Sequence, residues 1–444
     1  MATGARSRHS PSAAAFCVGL ALVATLTPGY TNAQFAFGIT GSLEYLENPV
    51  RQANPLDTDM LSLLSIDGSL ARETQRFATS FNYRASGTDY RNDTLQDREM
   101  LEGSGLLVWK VTPDYLQWNL QNSRSNELIN ASVPDIADNR QLINRTSTGP
   151  RLSMPIGSAN FLSLQLDASE VNYETTGFLD QTRNSTSAEF TRILSRNIRA
   201  SLRSSLTNTG FDSEFVPEYD FLSYSVVGNF TTNSFETSIE TGTYKSKSAG
   251  SGASSNPLLK LSATYRINSS SEFSASLFRT VEDLLSDLRT AENVSGSGIA
   301  QDPVSGLDSR FGSSNASGLY VKKTVSAAYS YTNDSRINLS LDYTKDERTY
   351  ESRNQQELDD RMSMSLSVPL NPRLNFSLTA RYSELFFSEF DSVQERTEMG
   401  ATVFYRLNDH ISLNFALRNT DQKSNSILTS YDGLSSYFGI SYRR

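Results

Sequence analysis

Charged side chains recur at every second position within apolar stretches of this 444-residue chain. In the run I-R-A-S-L-R at 198–203, the two arginines stand on one side and the apolar residues on the other. A period of two indicates a β-strand, because successive side chains of a strand point to opposite faces. The same spacing sets eleven charged residues opposite apolar neighbours: Asp167, Arg199, Arg203, Glu236, Glu240, Lys260, Arg266, Asp342, Arg381, Arg406 and Arg418.

Two kinds of chemistry suit these eleven residues, which we predict to line a lumen. Within a membrane, charges on a closed β-wall are tolerated only where water or a counter-charge reaches them. They can form lumenal ion pairs that hold the wall together. Alternatively, their excess of basic side chains favours anionic solutes, as rings of Arg or Lys do in anion pores. The sequence leaves both readings open.

Residues for catalysis or metal binding are scarce. The chain has two histidines, His9 near its start and His410 beside Asp409 in a predicted turn. Its single cysteine, Cys17, lies in an apolar run near the N-terminus, which excludes a disulfide or thiolate site from the remainder. Glycine-rich phosphate loops and HExxH are absent from the sequence. We therefore predict a non-enzyme without cofactor or metal; a hydrolase that depends on His410 is the alternative.

The elements that position these residues are strands joined in pairs. L-N-F-S-L-T-A-R-Y at 374–382 alternates strictly, and similar segments recur along the chain. Short turns rich in Asn, Asp, Ser, Pro or Gly join the members of each pair. These turns lie at 112–114, 157–159, 195–197, 232–234, 268–270, 333–335, 371–373 and 408–410. Longer polar stretches separate the pairs, at 123–145, 244–257, 282–318 and 345–360.

Short turns at one end and long loops at the other are typical of outer-membrane barrels. The pattern predicts an all-β fold, a transmembrane antiparallel up-and-down β-barrel with short periplasmic turns and long extracellular loops. We expect about 18–20 strands of about 9–11 residues each. The last segment, 435–444, alternates Phe438, Ile440 and Tyr442 with small or polar residues, as the final strand of such barrels does, although two arginines follow.

The N-terminal region predicts a segment that is removed. Arg6 and Arg8 precede an apolar run at 13–26, and T-N-A at 31–33 follows it. This arrangement predicts a signal peptide at 1–33, cleaved before Gln34, with the barrel at 34–444; an uncleaved anchor is the alternative. The predicted location is the outer membrane of a Gram-negative bacterium, with outer-membrane lipid and the barrel-assembly machinery as partners.

The longest polar stretch, 282–318, is the best candidate for a loop that folds into the barrel, by its length and its glycines. The segment 281–288, at its start, could form a short helix. The rest of the stretch is rich in Gly and Ser. Loops of this length are usually functional or disordered, so folding into the lumen and lying outside the cell both remain open.

The net charge of −9 and pI near 5.0 argue against a nucleic-acid partner.

Two stretches carry a resemblance to a known family. Residues 57–83 read D-T-D-M-L-S-L-L-S-I-D-G-S-L-A-R-E-T-Q-R-F-A-T-S-F-N-Y, and 138–154 read D-N-R-Q-L-I-N-R-T-S-T-G-P-R-L-S-M. The first resembles the strand, charged turn and strand with which outer-membrane β-barrel proteins of exopolysaccharide and exosortase (PEP-CTERM) systems begin. The second resembles the N-R-x-x-x-N start of their next strand.

This resemblance implies a porin-like role in exopolysaccharide export or in organising surface polysaccharide. Exopolysaccharide and export-system proteins would then be partners, and no catalytic residue is implied. The alternative function is a structural or interaction barrel with a blocked lumen, whose long extracellular loops bind partners.

Overall fold

A computed structural model describes residues 34–53, 58–130, 136–214, 216–248, 253–283, 319–350, 355–388, 391–425 and 430–444. The predicted signal peptide and most of the loop at 282–318 lie outside these residues. The described chain forms twenty strands, each antiparallel to the next, and β20 pairs with β1, so the barrel is closed. The predicted fold is confirmed, and the twenty strands, β1 and β2 included, are at the upper end of the predicted range of about 18–20.

The strands follow in chain order and contain 12–16 residues each. Their bounds are β1 Gln34–Leu46, β2 Asp59–Glu73, β3 Phe77–Tyr90, β4 Arg98–Thr112, β5 Leu116–Leu128, β6 Arg140–Pro155, β7 Asn160–Tyr173, β8 Gln181–Ser195, β9 Ile198–Phe211, β10 Tyr219–Thr231, β11 Phe235–Ser248, β12 Ser254–Arg266, β13 Ser271–Glu282, β14 Tyr320–Thr332, β15 Asn338–Tyr350, β16 Gln356–Asn371, β17 Leu374–Phe387, β18 Ser392–Arg406, β19 Ile411–Ser424 and β20 Tyr431–Arg443.

The two ends of the barrel differ in their connections. At one end, here the turn end, nine turns of two to five residues join the strand pairs from β2–β3 to β18–β19. At the other, the loop end, the connections run from 4 residues at 388–391 to 37 residues at 283–319. The eight predicted short turns all lie at the turn end.

The predicted loops at 123–145, 244–257 and 345–360 are shorter than expected. The strands are longer than a bilayer crossing needs, and they continue through most of these residues. Polar composition alone suggested loops there, but polar side chains can continue a backbone ladder above the membrane. The helix proposed at 281–288 is wrong at its start, since Val281 and Glu282 belong to β13; 284–288 lie outside the described residues.

One face of the wall is an apolar belt. Large apolar side chains stand exposed along it, for example Leu202 (59%), Met362 (58%) and Met399 (60%). Near the turn end Phe77 and Trp109 stack with ring centroids 6.3 Å apart, as in an aromatic girdle. Continuous apolar surface of this extent is not stable in water, so the belt faces lipid and the barrel spans a membrane.

No helix of the described chain is long and apolar enough to cross a membrane.

The strand count also sets the width of the barrel. Twenty strands about 4.8 Å apart, tilted by about 40°, give a ring about 40 Å across between backbones. Barrels of this size leave an aqueous channel unless other chain segments fill it.

Candidate functional site

Contacts between distant strands identify the inner face of the wall. The Tyr219 hydroxyl on β10 donates a hydrogen bond to the carboxylate of Asp283, just after β13, at 2.6 Å. Arg183 on β8 lies 2.7 Å from the same carboxylate. Three to five strands separate these residues, or about 14–24 Å along the wall. Side chains so far apart meet only on the concave side, so Arg183 and Tyr219 point inward.

The pairing register then assigns each remaining side chain to the inner or the outer face. Cross-strand partners lie on the same face, and so do residues two apart along one strand. All eleven charged residues singled out from the sequence share the inward face of Arg183 and Tyr219. Cross-strand pairs such as Lys260 with Glu240 and Arg381 with Glu398 show this directly. The contacts of the eleven, however, differ along the barrel axis.

Midway along the axis, three of the eleven form one row of ion pairs. Arg203 lies 3.2 Å from Glu189 on β8 and 3.5 Å from Glu240 on β11. Lys260 on β12 reaches the same Glu240 oxygen at 3.9 Å. The Ser225 hydroxyl donates a 2.6 Å hydrogen bond to Glu240, which is largely buried. Here the structure matches the ion-pair reading, with alternating charges linking β8, β9, β11 and β12.

At the loop end a buried group of residues surrounds Asp283; we call it the Asp283 node. Arg183 and Asp283 are 5% and 3% exposed, and the Arg183 guanidinium lies over the Phe221 ring at 5.3 Å. The Tyr320 hydroxyl donates to the Asp283 carbonyl at 3.3 Å. The node draws the end of β13 toward β8 and β10, inside the barrel. Sequence reasoning missed the node, because Asp283 follows the last alternating position and its partner Arg183 is 100 residues away.

A second loop-end network links β15 and β16. Arg361 lies 3.0 Å from Asp346 and 2.7 Å from Asp359. Arg348 lies 3.6 Å from Glu357, and both side chains are buried. These residues lie in the parts of β15 and β16 beyond the predicted strand length of about 9–11 residues. Following the alternation of the sequence past that length would have found them.

Four further predicted residues lie between these networks and the turn end. Asp342 accepts a 3.3 Å hydrogen bond from Ser363. Arg381 is the cross-strand partner of Glu398, which also pairs with Arg396. Arg418 is the cross-strand partner of Gly400 on β18, and Asp167 is the cross-strand partner of Ser185 on β8.

Near the turn end the inward charges are exposed to the lumen. Arg199 and Glu236 border a groove of about 870 Å³, together with Arg196, Asn229 and Asn233. Arg266 lies 3.6 Å from Glu272. Arg406 ends β18 and is exposed. Guanidinium and amide groups are hydrogen-bond donors suited to carboxylate and phosphate oxygens.

Small hydroxyl side chains fill much of the inner face between the charges. Many hydrogen-bond across neighbouring strands, as in Ser205–Ser223 at 2.7 Å and Ser276–Ser326 at 2.6 Å. Much of the inner face is therefore lined by short, hydrophilic side chains.

The basic excess seen among the eleven residues does not extend to the whole inner face. Register also places Glu189, Asp346, Glu357, Asp359 and Glu398 inward. Acidic and basic residues consequently occur there in similar numbers, and an overall anion preference cannot be read from composition.

The residues that could do other chemistry are few. Among the described residues no group of three or more His, Cys, Asp or Glu side chains is arranged to hold a metal ion. His410 lies in the β18–β19 turn, where its Nδ1 is 3.0 Å from the Arg443 carbonyl oxygen and its ring is 5.9 Å from that of Tyr442. These contacts tie the turn to the end of β20.

No family model and no curated protein matches this chain. Among solved structures it is similar to the siderophore receptor PirA from Pseudomonas aeruginosa, with 12% identity over 94% of this chain and 81% of that one, at a TM-score of 0.48. It is similar to OmpT, an outer membrane protein of Vibrio cholerae, with 8% identity over 94% and 99% and a TM-score of 0.36. OccAB3 of Acinetobacter baumannii gives 9% identity over 93% and 99% and a TM-score of 0.40.

Proposed function

We propose that this outer-membrane β-barrel forms a porin-like passage, with the turn end in the periplasm and the loop end outside the cell. The observation that carries the proposal is the hydrophilic inner face, which lines a ring about 40 Å across. Inward residues toward the turn end, such as Arg199, Thr379 and Arg406, are exposed. Water therefore reaches the inner face.

The cargo we propose is a surface polysaccharide moving outward. The family resemblance of 57–83 and 138–154 supports this choice, as does the chemistry of the wall. Sugars are dense in hydroxyl groups, and each serine hydroxyl can both donate a hydrogen bond to a sugar hydroxyl and accept one from it. In this proposal export-system proteins are partners at the periplasmic end, and the barrel itself catalyses no reaction.

A structural barrel with a blocked lumen is the second candidate, and the loop end favours it. Inward side chains there are buried, and the Asp283 node pulls the end of β13 over the lumen. A constriction at this level would stop large solutes.

Conductance across a planar bilayer separates the two functions. Purified protein 34–444 is reconstituted as the native chain and with 284–318 replaced by a short Gly-Ser linker. We expect stepwise conductance from both forms, larger in the second if the replaced residues narrow the passage. Absence of conductance from both forms would contradict a passage and leave the structural barrel.

Release of dextrans of graded size from liposomes then tests the cargo proposal. We expect small dextrans to escape and large ones to be retained. Retention of even a trisaccharide, in a preparation that conducts ions, would contradict polysaccharide transport while leaving an ion or small-solute pore. A His410→Ala variant is expected to behave like the native protein in both assays.

A further inference from the structure

Pairing of the inward cations is uneven at the turn end. Six cations form the inward layer nearest the turns, which we call the turn-end ring: Lys110, Arg151, Arg199, Arg266, Arg406 and Arg443. Three have carboxylate partners, in the pairs Lys110–Glu73 at 2.7 Å, Arg266–Glu272 at 3.6 Å and Arg443–Asp67 at 3.5 Å. Within the described part of the chain, Arg151, Arg199 and Arg406 have no ion-pair partner.

These three arginines are spread around the mouth, on β6, β9 and β18. All three are exposed. The one carboxylate of this layer without an ion pair, among the described residues, is that of Glu236 on β11. Three positive charges against one leave the lumenal mouth at the turn end basic.

The charged residues of the turns themselves do not reverse this sign. The turns contain four arginines and three aspartates: Arg76, Arg196, Arg336 and Arg373, and Asp114, Asp334 and Asp409. At the loop end the balance is different, because the 212–218 connection carries Asp212, Glu214 and Glu218 and no basic residue. The basic charge of this mouth is therefore local, since the chain as a whole has a net charge of −9.

We propose that Arg151, Arg199 and Arg406 make the periplasmic mouth selective for anions, specifically for chains of carboxylated sugars. The inference rests on the proposed passage and names its substrate class. A guanidinium presents a planar fork of donors that matches a carboxylate, and an unpaired one is available to a passing solute. Arg199 is the best placed of the three, since Asn229 and Asn233 border the same groove and offer amide donors.

The size of the effect depends on salt. The mouth is about 40 Å across, whereas the Debye length is about 8 Å at physiological ionic strength and about 30 Å at 0.01 M. Three arginines therefore bias permeation weakly at high salt and strongly at low salt. Anion preference should rise as the salt is diluted.

Reversal potentials in a KCl gradient test this inference on the reconstituted barrel 34–444. We expect chloride to permeate about three-fold better than potassium near 0.01 M salt, and about equally at 1 M. The triple variant R151Q/R199Q/R406Q should lose the preference. The matched control is R91Q/K245Q/K247Q, which removes three cations that are exposed at the loop end and should leave the preference unchanged.

A second measurement addresses the sugar chain itself. Polygalacturonate, a carboxylated polysaccharide, should interrupt the current at about ten-fold lower concentration than neutral dextran of equal length, and the first triple variant should remove this difference. A conducting barrel without anion preference, or with the same preference in both triple variants, overturns the inference and leaves the passage intact. A barrel that does not conduct overturns both.

Discussion

The inner face at the loop end and the inner face at the turn end treat charge differently. Arg183 and Asp283 at the loop end are 5% and 3% exposed and lie against each other. Arg266 and Arg443 at the turn end are each 61% exposed, although both have a carboxylate partner. A charge removed from water needs a partner, whereas a wet charge gains little from one. Crowding of the lumen thus decides which charges hold the wall and which are available to solutes.

Breaking the Asp283 node should have the largest effect. Arg183→Met leaves a buried carboxylate without its counter-charge, so we expect the free energy of unfolding to fall by about 3–5 kcal/mol. Unfolding by guanidinium chloride of the barrel refolded into lipid vesicles measures this change in the free energy of unfolding. Arg199→Met is the matched control and should change stability by less than about 0.5 kcal/mol. Equal losses in the two variants would remove the distinction between the ends.

Backbone packing offers a second contrast, between an inward glycine midway along the axis and a lipid-facing glycine nearer the turn end. A Cβ on Gly242 of β11 would stand 1.9 Å from the Tyr224 carbonyl oxygen, whereas one on Gly228, nearer the turn end, meets nothing within 4 Å. Gly242→Ala should therefore destabilise by about 1–3 kcal/mol, as overpacking does. Gly228→Ala should be neutral or stabilise by about 0.4–1 kcal/mol, because it restricts the unfolded chain. The same titration compares them, and effects of the same sign would contradict the structure.

A paired and an unpaired arginine on the same strand sharpen the comparison further. Arg203→Gln removes the cation that Glu189 and Glu240 share, and we expect a loss of about 1 kcal/mol in the free energy of unfolding, since the Arg203 side chain is partly exposed. Arg199→Gln should not alter stability but should lower anion preference. A stability loss from Arg199→Gln equal to that from Arg203→Gln would show that both arginines serve the wall.

Asp59 shows that a buried loop-end charge can be stabilised by hydrogen bonds alone. It is the first residue of β2, beyond the apolar belt, and accepts hydrogen bonds from the Thr94 hydroxyl at 2.5 Å and the amides of Asn92 and Met60. Burial by itself raises the pKa of the Asp59 carboxyl, but these hydrogen bonds outweigh it, and the pKa lies below its ordinary value. The carboxylate fixes the 91–97 connection to β2.

The smallest expected effect is therefore local. Asp59→Asn should speed hydrogen exchange at the amides of Asn92 and Thr94 without changing global unfolding. Because the folded pKa is lowered, the native advantage is complete above the unfolded pKa of about 3.9 and is lost as the pH falls through the folded pKa. The difference between native and variant should vanish there. Asp93→Asn, in the same connection, is the control, and an equal change in exchange would contradict the role of Asp59.

Alternation was enough to predict the fold. The segment 374–382 predicted β17, whose bounds are Leu374–Phe387, and repeats of that pattern predicted the closed wall. The lengths of the strands were underestimated, because polar positions such as Lys345 and Asp360 look like loop residues but pair across strands, 3.0 Å apart. Which charges are paired could not be predicted, since Arg183 and Asp283 meet only when the barrel closes.

Whether the inner face lines water is tested most directly by chemical labelling of consecutive positions on β17. Protein 34–444 contains no cysteine, so single cysteines at Ser377, Leu378, Thr379 and Ala380 can be compared without background. In lipid vesicles, a membrane-impermeant maleimide should modify the inward positions 377 and 379 rapidly and leave the lipid-facing positions 378 and 380 unmodified. Protection of all four positions, or equal labelling of neighbours, would contradict a water-filled barrel.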